Sequence, residues 1–306
     1  MATALASHPV HKTRWLTLTR RRHFFALLFV LPALINFAIF RYIPILSALR
    51  ISLYNYSMLG GFKAFVGLDQ YIQVLQDPLF FHSVLVAVEF SILKVPIQIF
   101  LSVLLAIFVS REVRGMNVMR TIIFVPVVTS LVVVSILWQF MYNKDLGLLQ
   151  SLLGVFGVPH TAFLGSQTLA LPSIIVMMIW KDIGFSTIIF VAGLKGIPDT
   201  FYEAAAIDGA SKIRQFFNIT LPLLKPVTLF VVLTQTISSL QVFIPIFVMT
   251  QGGPQQSTNA IVYYIYQYAF NFNEMGVACA MSFLVLILMV GVSWTNFRFL
   301  QSDVEY

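Results

Sequence analysis

Six long apolar stretches, separated by short polar ones, organise this chain: Phe24–Leu49, Ser83–Val109, Met119–Met141, Leu169–Leu194, Val227–Thr250 and Val277–Phe299. Each is long enough to cross a hydrocarbon core of ~30 Å, which takes about 20 helical residues. The second stretch is interrupted by Glu89 and Lys94, the fourth by Lys181 and Asp182. Pro96, Pro126 and Pro245 predict bends within their spans. The pattern predicts an all-α polytopic membrane protein with about six transmembrane helices. One membrane domain is expected over 24–300, flanked by cytoplasmic tails at 1–23 and 301–306. Arg20, Arg21 and Arg22 before Phe24–Phe40 have the charge of a secretory signal. The apolar run is too long for one and no small-residue cleavage site follows, so an uncleaved first span is expected.

Between the fourth and fifth stretches lies a polar island, Asp199–Pro226, inside a loop spanning 195–226. It reads as two short helices around a glycine. Thr200 and Glu203 have capping-box spacing, Gly209 is placed to close the first helix in the left-handed conformation, and Ser211 is placed to cap the second. Pro222 and Pro226 end that helix and lead into the next apolar run. A mere connector has no need of this much local order. Of the outer segments, 52–82 is partly amphipathic and 142–168 is glycine-containing, as expected for a surface-lying loop.

Charge fixes the orientation. With the N-terminus inside, thirteen Lys and Arg fall on the cytoplasmic side and only Arg50, Lys63 and Lys144 on the outer side. Both termini and the Glu203 loop are therefore expected in the cytoplasm. The net charge of +7 expresses this asymmetry rather than a nucleic-acid footprint. At 58% hydrophobic and 10% charged residues, a soluble domain is excluded. The single cysteine, Cys279, excludes an internal disulfide and a cysteine metal cluster. No phosphate-binding GxxxxGK[ST], GxSxG or HExxH motif is present, and the five histidines are scattered. No catalysis and no cofactor are expected in this chain, so any ATP and Mg would be held by separate subunits.

The polar island also carries a resemblance. Glu203-Ala204-Ala205, Asp208-Gly209-Ala210 and Ile219-Thr220-Leu221-Pro222 resemble the EAA loop of membrane subunits of ATP-binding-cassette (ABC) importers. FVGLDQY at 65–71, DPLF at 77–80, TIIFVP at 121–126, Trp180, and TQGGPQQST at 250–258 followed by YIYQYAF are similar to the carbohydrate-uptake branch. Within it the chain looks like a compact, six-span form of the first, maltose-transporter-type membrane subunit. The resemblance implies a type I importer fold, a second related membrane subunit, two cytoplasmic ATPases, an external solute-binding protein, and transport by alternating access. It also implies that Glu203, Ala204, Ala205, Asp208, Gly209 and Phe216 form a coupling helix on the ATPase, with Glu203 meeting a basic residue there.

Polar residues inside spans are costly in hydrocarbon and mark cavities or helix contacts. Gln235, Ser238 and Ser239 stand at i, i+3 and i+4 and form one stripe; ordinary helix–helix contact accounts for such a stripe equally well. Trp180, Lys181, Asp182 and Phe185 combine aromatic faces with polar groups, as a sugar site requires. The resemblance places Met178, Asp182 and Phe185 at sugar-contacting positions, with Asp182 where the maltose-type subunit has glycine. The alternative for Lys181 and Asp182 is a structural pairing near the outer end of the span. Thr129 and Ser130 are the polar candidates of the third span. Glu89 and Lys94 are five positions apart and poorly placed to pair, so partners on neighbouring helices are expected for them. With Lys181 as the one nearby cation, a neutral solute is favoured over a phosphorylated one. The competing reading is a self-contained secondary transporter or channel with Glu89, Lys181 and Asp182 as its relay; the small span count and the ordered loop stand against it.

Overall fold

A computed structural model describes residues 14–300 except 112 and 158–159. Of the expected tails 1–23 and 301–306, residues 1–13, Lys12 among them, and 301–306 lie outside the described residues, while 14–23 form the start of the first helix. The chain opens with α1 (Arg14–Phe37), a π turn at Ala38–Tyr42 and α2 (Ile43–Ile51). Together these make the first span, Arg22–Ile51, whose most apolar stretch has no residue buried within the chain. It meets the rest of the protein at its C-terminal end, where α2 touches the last helix and the hairpin that follows.

That hairpin, β1 (Tyr54–Ser57) with β2 (Gly61–Phe65), pairs Tyr54 with Phe65 and Ser57 with Gly61. It is a local exception to the all-α expectation. Tyr54 lies edge-on to both Phe62 and Phe65, with centroids 5.3 and 5.2 Å away. Such cross-strand aromatic pairs stabilise a sheet this small. Gly61, at φ +65°, opens the second strand in a conformation other residues resist. A short α3 (Asp69–Leu75) then leads to α4 (Pro78–Val109). The second span thus begins before the expected Ser83, because Asp77 caps the amide of Leu79 at 2.9 Å and Pro78 supplies a preformed first turn.

The third span departs from the expected continuous helix. α5 (Met116–Val128) and α6 (Leu131–Met141) meet at 97°. Pro126 removes one backbone donor, Thr129 and Ser130 turn extended, and the Thr129 hydroxyl donates to the Pro126 carbonyl at 2.6 Å. After α7 (Leu148–Val155), α8 (Ala170–Lys195) runs through the middle of the bundle as the expected fourth span. Past it come α9 (Asp199–Ile207), α10 (Lys212–Gln215), a π turn at Phe216–Thr220, α11 (Leu221–Leu223) and α12 (Lys225–Leu240). The fifth span continues from α12 into α13 (Ile244–Met249). Its break falls at 241–243, just before Pro245, because proline sits without cost in the first turn of α13. α14 (Ile261–Tyr266), a π turn at Gln267–Asn271 and α15 (Met275–Leu300) complete the chain.

α8 packs most closely on α4 and then on α5. A Cβ at Gly184 would lie 2.2 Å from the Ile123 carbonyl oxygen, so only glycine permits the observed approach of α8 to α5. The main core gathers Phe90, Ile174, Met177, Ile246 and Met281, all fully buried. A second, smaller cluster of Val103, Ala106, Phe190, Leu224 and Val231 packs α4, α8 and α12 nearer the 195–226 loop.

Candidate functional site

The adjacent charges of α8 diverge. Lys181, buried, donates from Nζ to the Val127 carbonyl at 2.8 Å, at the C-terminal end of α5. That end carries free carbonyls and negative partial charge, which a cation satisfies. One position on, the Asp182 carboxylate points toward α4 and accepts from Lys94 Nζ at 2.7 Å. Lys94 is fully buried, while the Asp182 side chain keeps 22% of its surface exposed. Lys94 also donates to Gln235 Oε1 on α12 at 3.1 Å. One ammonium therefore ties three helices, and both lysines have an opposite charge or a dipole beside them. Glu89 on α4, expected to find a partner on a neighbouring helix, is instead exposed and has none among the described residues.

Asp182 and Gln235, two of the expected solute contacts, are thus brought together through Lys94. Met178, Asp182 and Phe185 follow i, i+4, i+7 spacing along one side of α8. Phe185 and Trp180 are 41% and 44% exposed, and the Trp180 ring lies 5.6 Å from that of Trp138 on α6. Ser238 is exposed on α12, whereas Ser239 is buried and its hydroxyl has no partner among the described residues. Lys181 stands apart from this group, held against α5. The expectation that Lys94 finds its partner on a neighbouring helix is met by Asp182.

The sequence reading missed Gln98 and Ser186, both fully buried, where Gln98 Nε2 donates to Ser186 Oγ at 3.0 Å. The signal was there: Lys94, Gln98 and Ser102 stand at i, i+4 and i+8 on α4, and Asp182 and Ser186 at i and i+4 on α8. Among the described residues, no group of three or more His, Cys, Asp or Glu is placed to hold a metal ion.

The loop between α8 and α12 is built by local chemistry. α9 starts at Asp199 with Pro198 in the cap position, so the Thr200–Glu203 capping box does not form its start. Proline before the first turn already sets the chain direction. At the other end Gly209 adopts φ +75°. Its amide donates to Ala206 O at 3.1 Å and the Ala210 amide to Ala205 O at 2.9 Å. This is a Schellman closure, in which the last carbonyls of the helix are satisfied by the amides just beyond it. Ser211 then accepts from the Arg214 amide at 3.3 Å, and the Tyr202 and Thr220 hydroxyls, 2.9 Å apart, hold the two halves together. Glu203, Ala204, Asp208 and Gly209 are exposed, with Ala205 and Phe216 half-buried. Ile207, Ile213 and Phe217 present 87%, 72% and 59% of their surface. The loop thus presents an ordered polar helix edged by bare apolar side chains.

Residues 98–299, covering α8, the loop and α12, match the family described as "Binding-protein-dependent transport system inner membrane component". The chain belongs to that family. This ABC-importer permease is 35% identical over 263 residues to the "Trehalose/maltose transport system permease protein MalF" of Thermococcus litoralis, covering 86% of this chain and 89% of that one. It is 31% identical over 302 residues to the "sn-glycerol-3-phosphate transport system permease protein UgpA" of Pectobacterium atrosepticum, covering 98% and 99%. Its fold matches a chain of a bacterial ABC transporter involved in the import of the acidic polysaccharide alginate. There the TM-score is 0.82 at 22% identity, over 95% of this chain and 99% of that one. The permease is a membrane subunit and not itself an ATPase; hydrolysis belongs to separate subunits of such importers.

Proposed function

We propose that this permease, with a second related membrane subunit, forms the translocation pathway of an ATP-driven importer for a neutral sugar-like solute. Two cytoplasmic ATPases carrying ATP and Mg drive it, and an external solute-binding protein delivers the cargo. The permease sits in a bacterial inner membrane with both termini in the cytoplasm, in keeping with the thirteen-to-three division of its Lys and Arg. The observation that carries the reading is the ordered loop between two spanning helices, with Glu203 exposed beside bare Ile207 and Ile213. Glu203, Ala204, Ala205, Asp208, Gly209 and Phe216 form its contact with an ATPase. Because α8 and α12 lead directly into this loop, its displacement by the ATPases moves the helices that carry Asp182 and Ser238.

The solute meets Trp180, Asp182, Phe185 and Ser238, an aromatic and hydrogen-bonding set suited to the C–H face and hydroxyls of a sugar or polyol. Relatives named for trehalose, maltose and glycerol phosphate support a carbohydrate-like cargo. Neutral cargo follows from the two lysines of this region: Lys94 is matched by Asp182 and Lys181 by a helix terminus, which leaves neither to greet an anion. The test is ATP hydrolysis by the reconstituted complex with its binding protein, across neutral and phosphorylated solutes. A neutral sugar or polyol raises turnover in the wild type, and Glu203→Lys abolishes the rise. Equal stimulation of the Glu203→Lys complex overturns the coupling role, and stimulation by phosphorylated solutes alone overturns the neutral cargo.

A further inference from the structure

We propose that Lys94 is a positioning residue of transport, a tie that makes α4, α8 and α12 move as one body when the 195–226 loop is displaced. This deepens the reading above and rests on it. Lys94 takes no part in the expected solute contacts and does not approach the loop. Its importance comes from what it joins: Asp182 on the helix entering the loop, at 2.7 Å, and Gln235 on the helix leaving it, at 3.1 Å.

The geometry gives the tie a long reach. Asp182 is thirteen positions before Lys195, and Gln235 ten after Lys225. At 1.5 Å per residue the junction sits about 15–20 Å above the loop, near mid-membrane. Two helices entering and leaving a displaced loop are free to shift by different amounts unless something joins them at depth. α8 and α12 share fewer contacts with each other than each shares with α4, so α4 is the natural bridge. An ammonium at this depth with both acceptors in place resists separation, because parting from either leaves a buried charge or amide unsatisfied.

The polar line continues along α4 and ties it to α8 a second time, through Gln98 and Ser186 at 3.0 Å. Apolar packing alone would hold the helices together equally well but would let them slide past one another. A charge at 0% exposure with two directional bonds fixes their register. The same bond orients the Asp182 carboxylate, which keeps 22% of its surface exposed, so the solute contact and the loop are held to a common frame.

The experiment uses the whole complex in liposomes. Wild type, Lys94→Met and Lys94→Arg are compared for ATP hydrolysis stimulated by the binding protein, with a mixture of maltose, trehalose and sn-glycerol 3-phosphate as probe. Solute uptake per ATP is measured in parallel, and co-purification with the ATPases reports assembly. Lys94→Met is expected to lose roughly tenfold in uptake per ATP at equal assembly, and Lys94→Arg to recover most of it. Unchanged uptake per ATP in assembled Lys94→Met overturns the proposal, since a residue that only holds the fold lowers the yield of complex and not the ratio. Should Lys94→Met fail to assemble, Gln235→Leu leaves Lys94 paired with Asp182 and removes only its link to α12; uptake per ATP equal to wild type then overturns the proposal. If the wild-type complex shows no ATP-driven uptake at all, the importer reading fails and the inference falls with it. Loss in Glu203→Lys but not in the Lys94 variants leaves the importer reading standing and removes only the tie.

Discussion

Lys181 Nζ lies 2.8 Å from the carbonyl oxygen of Val127, so a side chain of α8 caps the last turn of α5 where the third span breaks. Replacing Lys181 with methionine keeps the stem and removes the donor, leaving the part-buried Val127 carbonyl at the negative end of α5 without it. The expected cost is about 1.5–3 kcal/mol, the range for hydrogen bonds involving charged groups. Thermal unfolding of the purified permease in detergent checks it, with Lys181→Arg retaining most of the stability. An unfolding midpoint for Lys181→Met equal to that of the wild type would show that the break is held by Thr129 and Pro126 alone.

Gly184 makes a second prediction on the same contact. Because a methyl group there would sit 2.2 Å from Ile123 O, Gly184→Ala must push α5 and α8 apart. The loss expected is about 1–3 kcal/mol, as for other overpacked interfaces. Gly291 on α15 is the control. A Cβ there meets open space among the described residues, so Gly291→Ala is neutral or stabilising by up to about 1 kcal/mol through helix propensity. Equal effects at the two positions would contradict the close approach.

Much of this architecture is written locally, which is why it was legible. The spans follow from apolar length, and the turn at Gly209 and the cap at Ser211 follow from backbone preferences of single residues. The Lys94–Asp182 pair was not readable, because 88 positions separate its members and nothing local to either names the other. The sequence offered Lys181 and Asp182 as neighbours, and helical geometry sent them to different helices. The 97° break at Thr129 and Ser130 arises from a proline three residues upstream acting with a hydroxyl, a combination that reads equally well as a mild kink. The β1–β2 hairpin lay in a segment too short and too aromatic to separate from an amphipathic connector, though Gly60-Gly61 between Tyr56 and Phe62 was its turn signal.

Gly209 should be sensitive to conformation and not to size. Its φ of +75° is strained for a residue with a side chain, yet a Cβ there would meet nothing within 4 Å. Gly209→Ala is therefore expected to destabilise the closure of α9 by about 1–2 kcal/mol. Gly209→Asn costs less, because asparagine visits the left-handed region more readily. Hydrogen-exchange protection of the Asp208 and Ala210 amides, or affinity for the ATPases, would follow the order Gly, Asn, Ala. An Ala variant indistinguishable from wild type in both would show that the loop tolerates a different closure.

At the start of α4, the Tyr264 hydroxyl donates to Asp77 Oδ2 at 2.6 Å, and the other oxygen of that carboxylate caps the helix. Tyr264→Phe removes a largely buried donor to a charged acceptor, and a loss of about 1.5–3 kcal/mol is expected. Burial, and then the hydrogen bond to Asp77, push the Tyr264 hydroxyl above its ordinary pKa. The folded protein therefore holds this proton more tightly than the unfolded chain does. Its contribution is fully present below the unfolded tyrosine value of about 10 and declines only as pH rises beyond it toward the folded value. The stability difference between wild type and Tyr264→Phe should accordingly stay level from about pH 7 to 9 and narrow above about 10. Denaturation of both proteins in matched detergent across that range measures it. A gap that stays level above about pH 10 as well would mean that the hydroxyl keeps the ordinary tyrosine value in the fold, and that the bond to Asp77 does not anchor the start of α4.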